Sequence, residues 1–338
     1  MSLLAGLSEE QVGLRDAVRA LLAKRSDSAA VRQAATLPRG YDESLWQLLC
    51  ELVDGAGDAE LHLVMEDLGR TLTPSPLLGS ILSARLLRAL GEAAAPLGPE
   101  IVATCWAGAD GQWTPAAAAV SFDGSSLMGR THYVLDGDCA DRLLVVATCT
   151  DEIGVFDVDP SQPGVRRAAT PTMDPTRRLA TVSFDQVHGT RLGADARSAL
   201  DEALRGACVA LSAEQVGAAE RILELTVEYT KMRRQFGRPI GSFQALKHRM
   251  ADLHVLVESA RSASYAAADG VLDASVAKAC CSEAFVTVAG EAIQMHGGIA
   301  ITWEHDAHLY FKRAHGSSHL FGSPREHIAH LAPLAGLS

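Results

Sequence analysis

The stretch Lys231-Met-Arg-Arg-Gln-Phe-Gly-Arg-Pro-Ile-Gly-Ser-Phe-Gln244 sets two adjacent arginines against Gln-Phe-Gly, a proline and a second Phe-Gln. It lies between two segments with helical periodicity. Before it, Leu204, Cys208, Leu211, Gln215, Ile222, Leu225, Tyr229 and Met232 keep a helical repeat. After it, Phe243, Leu246, Met250, Leu253 and Val257 step by three and four along one apolar face. The plain structural reading is a helix end, with arginine favoured by the helix dipole and Gly237 as the C-cap. The functional reading is an anion grip: Arg233 as a forked donor, Gln235 as an amide, Phe236 as a flat face and Gly237 as a point of close backbone approach.

Working outward, the texture of the 338-residue chain divides into three zones. Residues 1–100 read as helical: Ser8-Glu9-Glu10 opens an amphipathic run, and a helix through Leu61–Leu72 stops before Thr-Pro-Ser-Pro. Residues 101–195 carry short apolar segments (IVATCWAG, RLLVVAT, IGVFDV, LATVSFDQV) broken by Gly, Asp and Pro, which predict a small β-domain. Residues 196–338 return to helical periodicity with short connections, as in a four-helix bundle. There, Cys280-Cys281 to His296 predicts a helix ending on Gly297-Gly298. Those glycines leave backbone amides open to an anion, and Gln294 offers an amide beside them.

Composition excludes several classes. A net charge of −11 argues against a general affinity for nucleic acid, so an anionic ligand needs a local basic pocket. Seven scattered cysteines without CxxC spacing predict reduced thiols and a cytoplasmic protein. The amino terminus has no signal-peptide pattern, and no uninterrupted apolar run reaches the roughly 18 residues of a membrane span. His305, His308, His315, His319, His327 and His330 crowd the end of the chain, but without HExxH or nearby cysteines they predict no metal site.

Several strips together resemble the acyl-CoA dehydrogenase family: YTKMRRQFGRPIGSFQALKHRMADL (229–253), AGEAIQMHGGIAITWEHDAHLYFKRA (289–314) and, less closely, VMEDLGRTLTPSP (64–76) and PTMDPTRRLATVSFDQV (171–187). The resemblance implies an α+β, mostly α fold with an N-terminal helical domain, a central β-domain and a C-terminal four-helix bundle. It implies α,β-dehydrogenation of an acyl-CoA thioester, in which a glutamate removes the α-proton while the β-hydrogen leaves as hydride to FAD. In the family, R-x-x-F-G and Q-x-x-G-G bind the adenosine and pyrophosphate of FAD across a dimer interface. Those roles fall on Arg233, Gln235, Phe236, Gln294, Gly297 and Gly298.

The catalytic glutamate is missing from both of its usual places. The place on the helix leading to Val216-Gly217 holds Ala207, and the place before the glycine of Leu-Phe-Gly-Ser-Pro holds Phe321. The central strip that wraps the flavin, Y-x-L-T-E-P-x-A-G-S-D in the family, reads IVATCWAGADGQWTP here. The loop between LWQLLCEL and LHLVMEDLG is shortened. What is kept reaches into a neighbour's flavin site; what is lost would hold the chain's own. This pattern resembles the shortened subunits of actinobacterial α2β2 acyl-CoA dehydrogenases that act on steroid-derived thioesters. It implies a partner chain of the same family that supplies the glutamate, and electron-transfer flavoprotein as acceptor. Two alternatives stay open: a self-sufficient enzyme whose base has moved to Glu202 or Glu214, and a non-catalytic scaffold of the same fold. Glu202 lies five residues before Ala207, about a turn and a half of helix away and on another side.

Overall fold

Ser8 starts the first helix by a reciprocal cap: its side chain accepts from the Gln11 N–H, and Gln11 Oε1 accepts from the Ser8 N–H, each at 3.1 Å. From there the computed structural model, which describes residues 3–92, 97–150, 152–193, 196–334 and 336, runs through five helices. These are α1 (Glu9–Arg25), α2 (Ser28–Ala34), α3 (Glu43–Leu52), α4 (Asp58–Thr71) and α5 (Leu77–Ala89). Helix α4 ends on Leu72 in the left-handed conformation before Thr73-Pro74, which cannot continue it.

The chain then forms one sheet from β1 (Val102–Cys105), β2 (Val120–Phe122), β3 (Leu127–Leu135), β4 (Arg142–Cys149), β5 (Glu152–Val158), β6 (Val165–Ala169), β7 (Leu179–Val187) and β8 (Thr190–Leu192). The order is β6-β7-β3-β2-β4-β5-β8, with β1 also paired parallel to β4. Four of these are the apolar segments read from sequence. Strand β4 is the central one, its Leu143–Ala147 run wholly buried.

Helix α6 (Ala196–Met232) spans 37 residues, about 55 Å at the standard rise, and is the spine of the molecule. Its first half packs in one core with the sheet and the N-terminal helices; its second half packs in another with α7 (Gln244–Ala268), α8 (Ala274–His296) and α9 (Ala307–His319). Helix α10 (Pro324–Leu334) packs on α8. The segment Ala274–Ile301 has the length and apolar composition of a membrane-crossing helix. In the fold it packs against α6, α7, α9 and α10, and it carries buried Lys278 with Nζ donating to Ser282 Oγ and the Ser318 carbonyl, each at 2.9 Å.

Helices α4 and α6 touch backbone to backbone. A Cβ on Gly69 would lie 2.0 Å from the Glu214 carbonyl oxygen, and one on Gly217 would lie 1.9 Å from that of Glu66. Buried charge ties the neighbouring helices to α4 beside the crossing. Glu66 accepts from Arg261 and, at 3.2 Å, from Arg15, and Tyr265 Oη donates to it at 2.7 Å. Asp67 pairs with Arg19 at 2.9 Å. These bonds join α1, α4 and α7 around two buried carboxylates.

Candidate FAD-gripping face and the empty base positions

Helix α6 ends at Met232, and Arg234–Gln235 and Arg238–Pro239 pair as a two-residue hairpin, β9 and β10. Gly237 is therefore no helix C-cap; it is the second turn residue of the hairpin. Phe236 and Gly237 occupy its tip with φ of +51° and +78°, the left-handed pair that a type I′ turn demands. Glycine meets that demand freely, whereas a phenylalanine there is strained, and Phe236 is 92% exposed. The hairpin is braced at its base. The Ile240 N–H donates to the Arg233 carbonyl at 2.8 Å, Arg234 Nη2 donates to the Gly237 carbonyl at 3.1 Å, and Arg238 lies 4.0 Å over the Phe243 ring. Phe236 and Phe243 meet edge to face at 6.2 Å. Arg233 and Gln235 are exposed.

Helix α8 ends at His296 and hands the chain to a 3-10 turn over Gly297–Ile301. Gly297 has φ of +65°, and no atom lies within 4 Å of where a Cβ would stand on it or on Gly298. Gln294 is exposed just before them. The turn is tied to α6 by Tyr229, whose Oη donates to the His296 carbonyl at 3.2 Å. Tyr229 thus bonds both segments, the Arg233–Gly237 hairpin through its carbonyl and the Gln294–Gly298 turn through its hydroxyl, although they are far apart in sequence. The donor set suits an adenosine–pyrophosphate group: a forked cation, two primary amides, open backbone at two glycines and an exposed aromatic face.

The two positions where a base belongs lie together elsewhere, at the junction of α6, the sheet domain and the α9–α10 connection. Ala207 is fully buried on α6. Phe321, at φ +63°, is 1% exposed and packs edge to face on Trp113 at 5.0 Å, which in turn meets Trp106 at 5.9 Å. A cleft of about 320 Å³ opens beside them, lined by Trp113, Leu204, Arg205, Cys208, Phe321 and His327. Burial pushes the Cys208 thiol up to about 12, so it presents no thiolate. Glu202 does not face this cleft; it lines a separate groove with Asp58 and Arg85.

Glu214 is buried inside an ion-pair cluster. It accepts from Arg177 and, at 2.8 Å, from Arg313 Nη1; Arg313 also donates to Asp174 at 2.6 Å and to the Thr176 carbonyl and hydroxyl at 2.9 and 2.6 Å. Burial raises its carboxyl, but the two guanidinium groups outweigh burial and hold it below the ordinary carboxylate range. A carboxylate so paired is a poor proton acceptor.

Sequence reading missed Tyr229, His296, Arg238 and Phe243 as organisers of the gripping face. Their sequence signal was only helical periodicity and one more histidine. It also missed Trp113 as the partner of Phe321. Among the described residues, no group of three or more His, Cys, Asp or Glu side chains is arranged to hold a metal ion.

Residues 196–332 match the family model for the acyl-CoA dehydrogenase C-terminal domain. The chain is 46% identical to the acyl-CoA dehydrogenase IpdE2 of Mycobacterium tuberculosis, covering 96% of each. Among solved structures it is similar to the Tcur3481-Tcur3483 steroid ACAD G363A variant, with a TM-score of 0.85 at 28% identity, covering 97% of this chain and 98% of that one. It is also similar to the ChsE4-ChsE5 complex of Mycobacterium tuberculosis, with a TM-score of 0.84 at 25% identity over 98% of each chain. The shared fold and the near-complete alignment to a relative of this identity agree: the chain belongs to the acyl-CoA dehydrogenase family.

Proposed function

We propose that this chain is one subunit of an FAD-dependent acyl-CoA dehydrogenase heterocomplex, in which it grips the adenosine–pyrophosphate half of the FAD while a second family chain supplies the catalytic glutamate. The observation that carries the reading is the base position itself. Ala207 and Phe321 are both buried there, and Phe321 is packed on Trp113. The family's proton and hydride removal needs a carboxylate over the α-carbon; of the two glutamates weighed as replacements, Glu214 lies between two arginines and Glu202 lines a groove with Asp58 and Arg85.

FAD, when bound, supplies the hydride acceptor. For this chain's part, the Arg233 guanidinium neutralises and orients a pyrophosphate, and Gln235 and Gln294 present amide donors. The Gly297 N–H is engaged by the Ile293 carbonyl, and Gly297 and Gly298 let an anion approach the turn without side-chain obstruction. Phe236, held out at the hairpin tip, supplies an apolar face to the partner side. The names of two structural relatives support a paired assembly and a steroid-derived acyl-CoA: one is a complex of two named chains, the other a steroid ACAD also named for two chains. Electron-transfer flavoprotein is the acceptor this reading assigns.

The test is to purify the chain alone and co-expressed with a glutamate-bearing chain of the same family. The pair should be yellow and turn over acyl-CoA; the single chain should do neither. Arg233→Ala should lower the FAD content of the pair at least ten-fold, the scale of a lost charge-assisted hydrogen bond of about 1.5–3 kcal/mol, while leaving the melting temperature of the FAD-free chain unchanged because the side chain is exposed. Full flavin content and turnover from the single chain would overturn the proposal.

A further inference from the structure

Three rings cluster at the end of the bundle, beside the glycine turn. Tyr229 and His296 stack with centroids 4.4 Å apart and planes 26° apart. The His305 ring lies 4.4 Å from His296 and 6.3 Å from Tyr229, closing a triangle. His296 Nδ1 stands 2.8 Å from the Ala292 carbonyl, so that nitrogen carries the proton; Nε2 is then a lone-pair acceptor, buried and without a hydrogen-bond partner. His305 is fixed from the N-terminal helices: Arg32 on α2 donates to the His305 carbonyl at 3.4 Å and to Asp306 at 2.6 Å, and His305 Nδ1 accepts from the Ala307 N–H at 3.1 Å.

Tyr229 is the residue that touches both gripping strips. Its carbonyl accepts from the Arg233 N–H at 2.8 Å, which sets the last turn of α6 before the hairpin. Its hydroxyl donates to the His296 carbonyl, the peptide that opens the glycine turn. The turn is otherwise held by the Gly297 N–H on the Ile293 carbonyl and by buried Ala300, both on the α8 side; Tyr229 is its bond to α6. Gly297 and Gly298 carry no side chains, and the space where a Cβ would stand on either is open. A ligand that bridges an exposed turn and an exposed hairpin has to order both unless something already does.

We infer that Tyr229, stacked with His296 and His305, is a positioning residue that sets the spacing between the Arg233–Gly237 hairpin and the Gln294–Gly298 turn before the adenosine–pyrophosphate group arrives. This rests on the assignment of those strips to FAD. The simpler role, filling space between α6 and α8, needs only the ring. Positioning needs the hydroxyl.

Tyr229→Phe separates the two, since it keeps the stack and deletes one donor. The probe is ADP, which carries adenosine and pyrophosphate but no flavin, titrated into the FAD-depleted complex with a glutamate-bearing family chain. The expected result is a loss of about five-fold in ADP affinity, the size of one net hydrogen bond, with an equal loss for FAD. Amide hydrogen exchange over Gly297–Ile301 in the full chain should quicken by a similar factor. Thr226→Val is the control, because it deletes a buried hydroxyl on the same helix whose bond goes to the Ile222 carbonyl, away from the turn. It should leave ADP affinity unchanged. Equal effects of the two variants, or none from Tyr229→Phe, overturn the positioning role. Gln294→Ala tells the two assignments apart. If it weakens ADP binding while Tyr229→Phe does not, only the positioning role fails; if it has no effect, the FAD assignment fails and the inference with it.

Discussion

Replacing Glu214 by glutamine tests whether that carboxylate is a structural charge or a displaced base. The side chain is 5% exposed, and its partners Arg313 and Arg177 are 3% and 11% exposed. Glutamine keeps the shape and one acceptor oxygen but leaves the two guanidinium groups facing a neutral amide. Arg313 retains Asp174 and Thr176, so the uncompensated charge falls mainly on Arg177. Removing one partner of a buried pair costs about 3–5 kcal/mol, and the surviving acceptor places this case near the lower end, about 3 kcal/mol. Urea denaturation of the full chain should show this as a lower midpoint with an unchanged slope. The pH dependence has a definite sign. Because the folded-state pKa of Glu214 is depressed, its contribution is fully present above the ordinary glutamate range and drains away as pH falls through the folded value. Glu214→Gln should therefore flatten the acid limb of the stability profile. Turnover of the heterocomplex, corrected for the folded fraction, should be unchanged. A variant as stable as the parent whose complex has lost turnover would refute this reasoning and make Glu214 the base.

Gly217→Ala should cost about 3 kcal/mol or more, because the new Cβ would stand 1.9 Å from the Glu66 carbonyl and force α4 off α6. The same change at Gly13, in α1 with open space around it, should stabilise by about 0.5–1 kcal/mol. The two urea midpoints should move in opposite directions. Phe321→Ala should destabilise by about 3–5 kcal/mol through loss of a buried ring and should red-shift tryptophan emission as Trp113 gains water. An unshifted spectrum would show that Phe321 does not cover Trp113.

Much of the architecture was legible because it rests on local signals. The Ser8 cap, the stop at Thr-Pro-Ser-Pro, the apolar strands β1, β4, β5 and β7, and the end of α8 at Gly297 each follow from residue type and spacing. Strand β3 is less plain from composition, since it carries Gly129, Arg130 and His132 and a bulge with Tyr133 at φ +57°. Among site residues, Arg233, Gln235, Phe236, Gln294, Gly297 and Gly298 stood out as two strips, and Ala207 and Phe321 stood out as empty base positions.

What the sequence by itself determined was therefore the kind of protein, the placement of its helices and principal strands, and the absence of a carboxylate from two named positions. The placement of helices and strands depends on chemistry carried by neighbouring residues; the kind of protein and the two base positions come from the resemblance to the family. Only the tertiary structure decided that Arg234–Pro239 is a hairpin with a strained phenylalanine at its tip rather than a capped helix end, because the turn is stabilised by pairing and by Arg238 on Phe243. Only the fold turned Glu214 from a candidate base into a neutralised charge, since Asp174 and Arg177 come from the sheet domain and Arg313 from α9. A carboxylate's role is set by the charges that surround it, and in this chain those charges lie 37 and 99 residues away along the sequence.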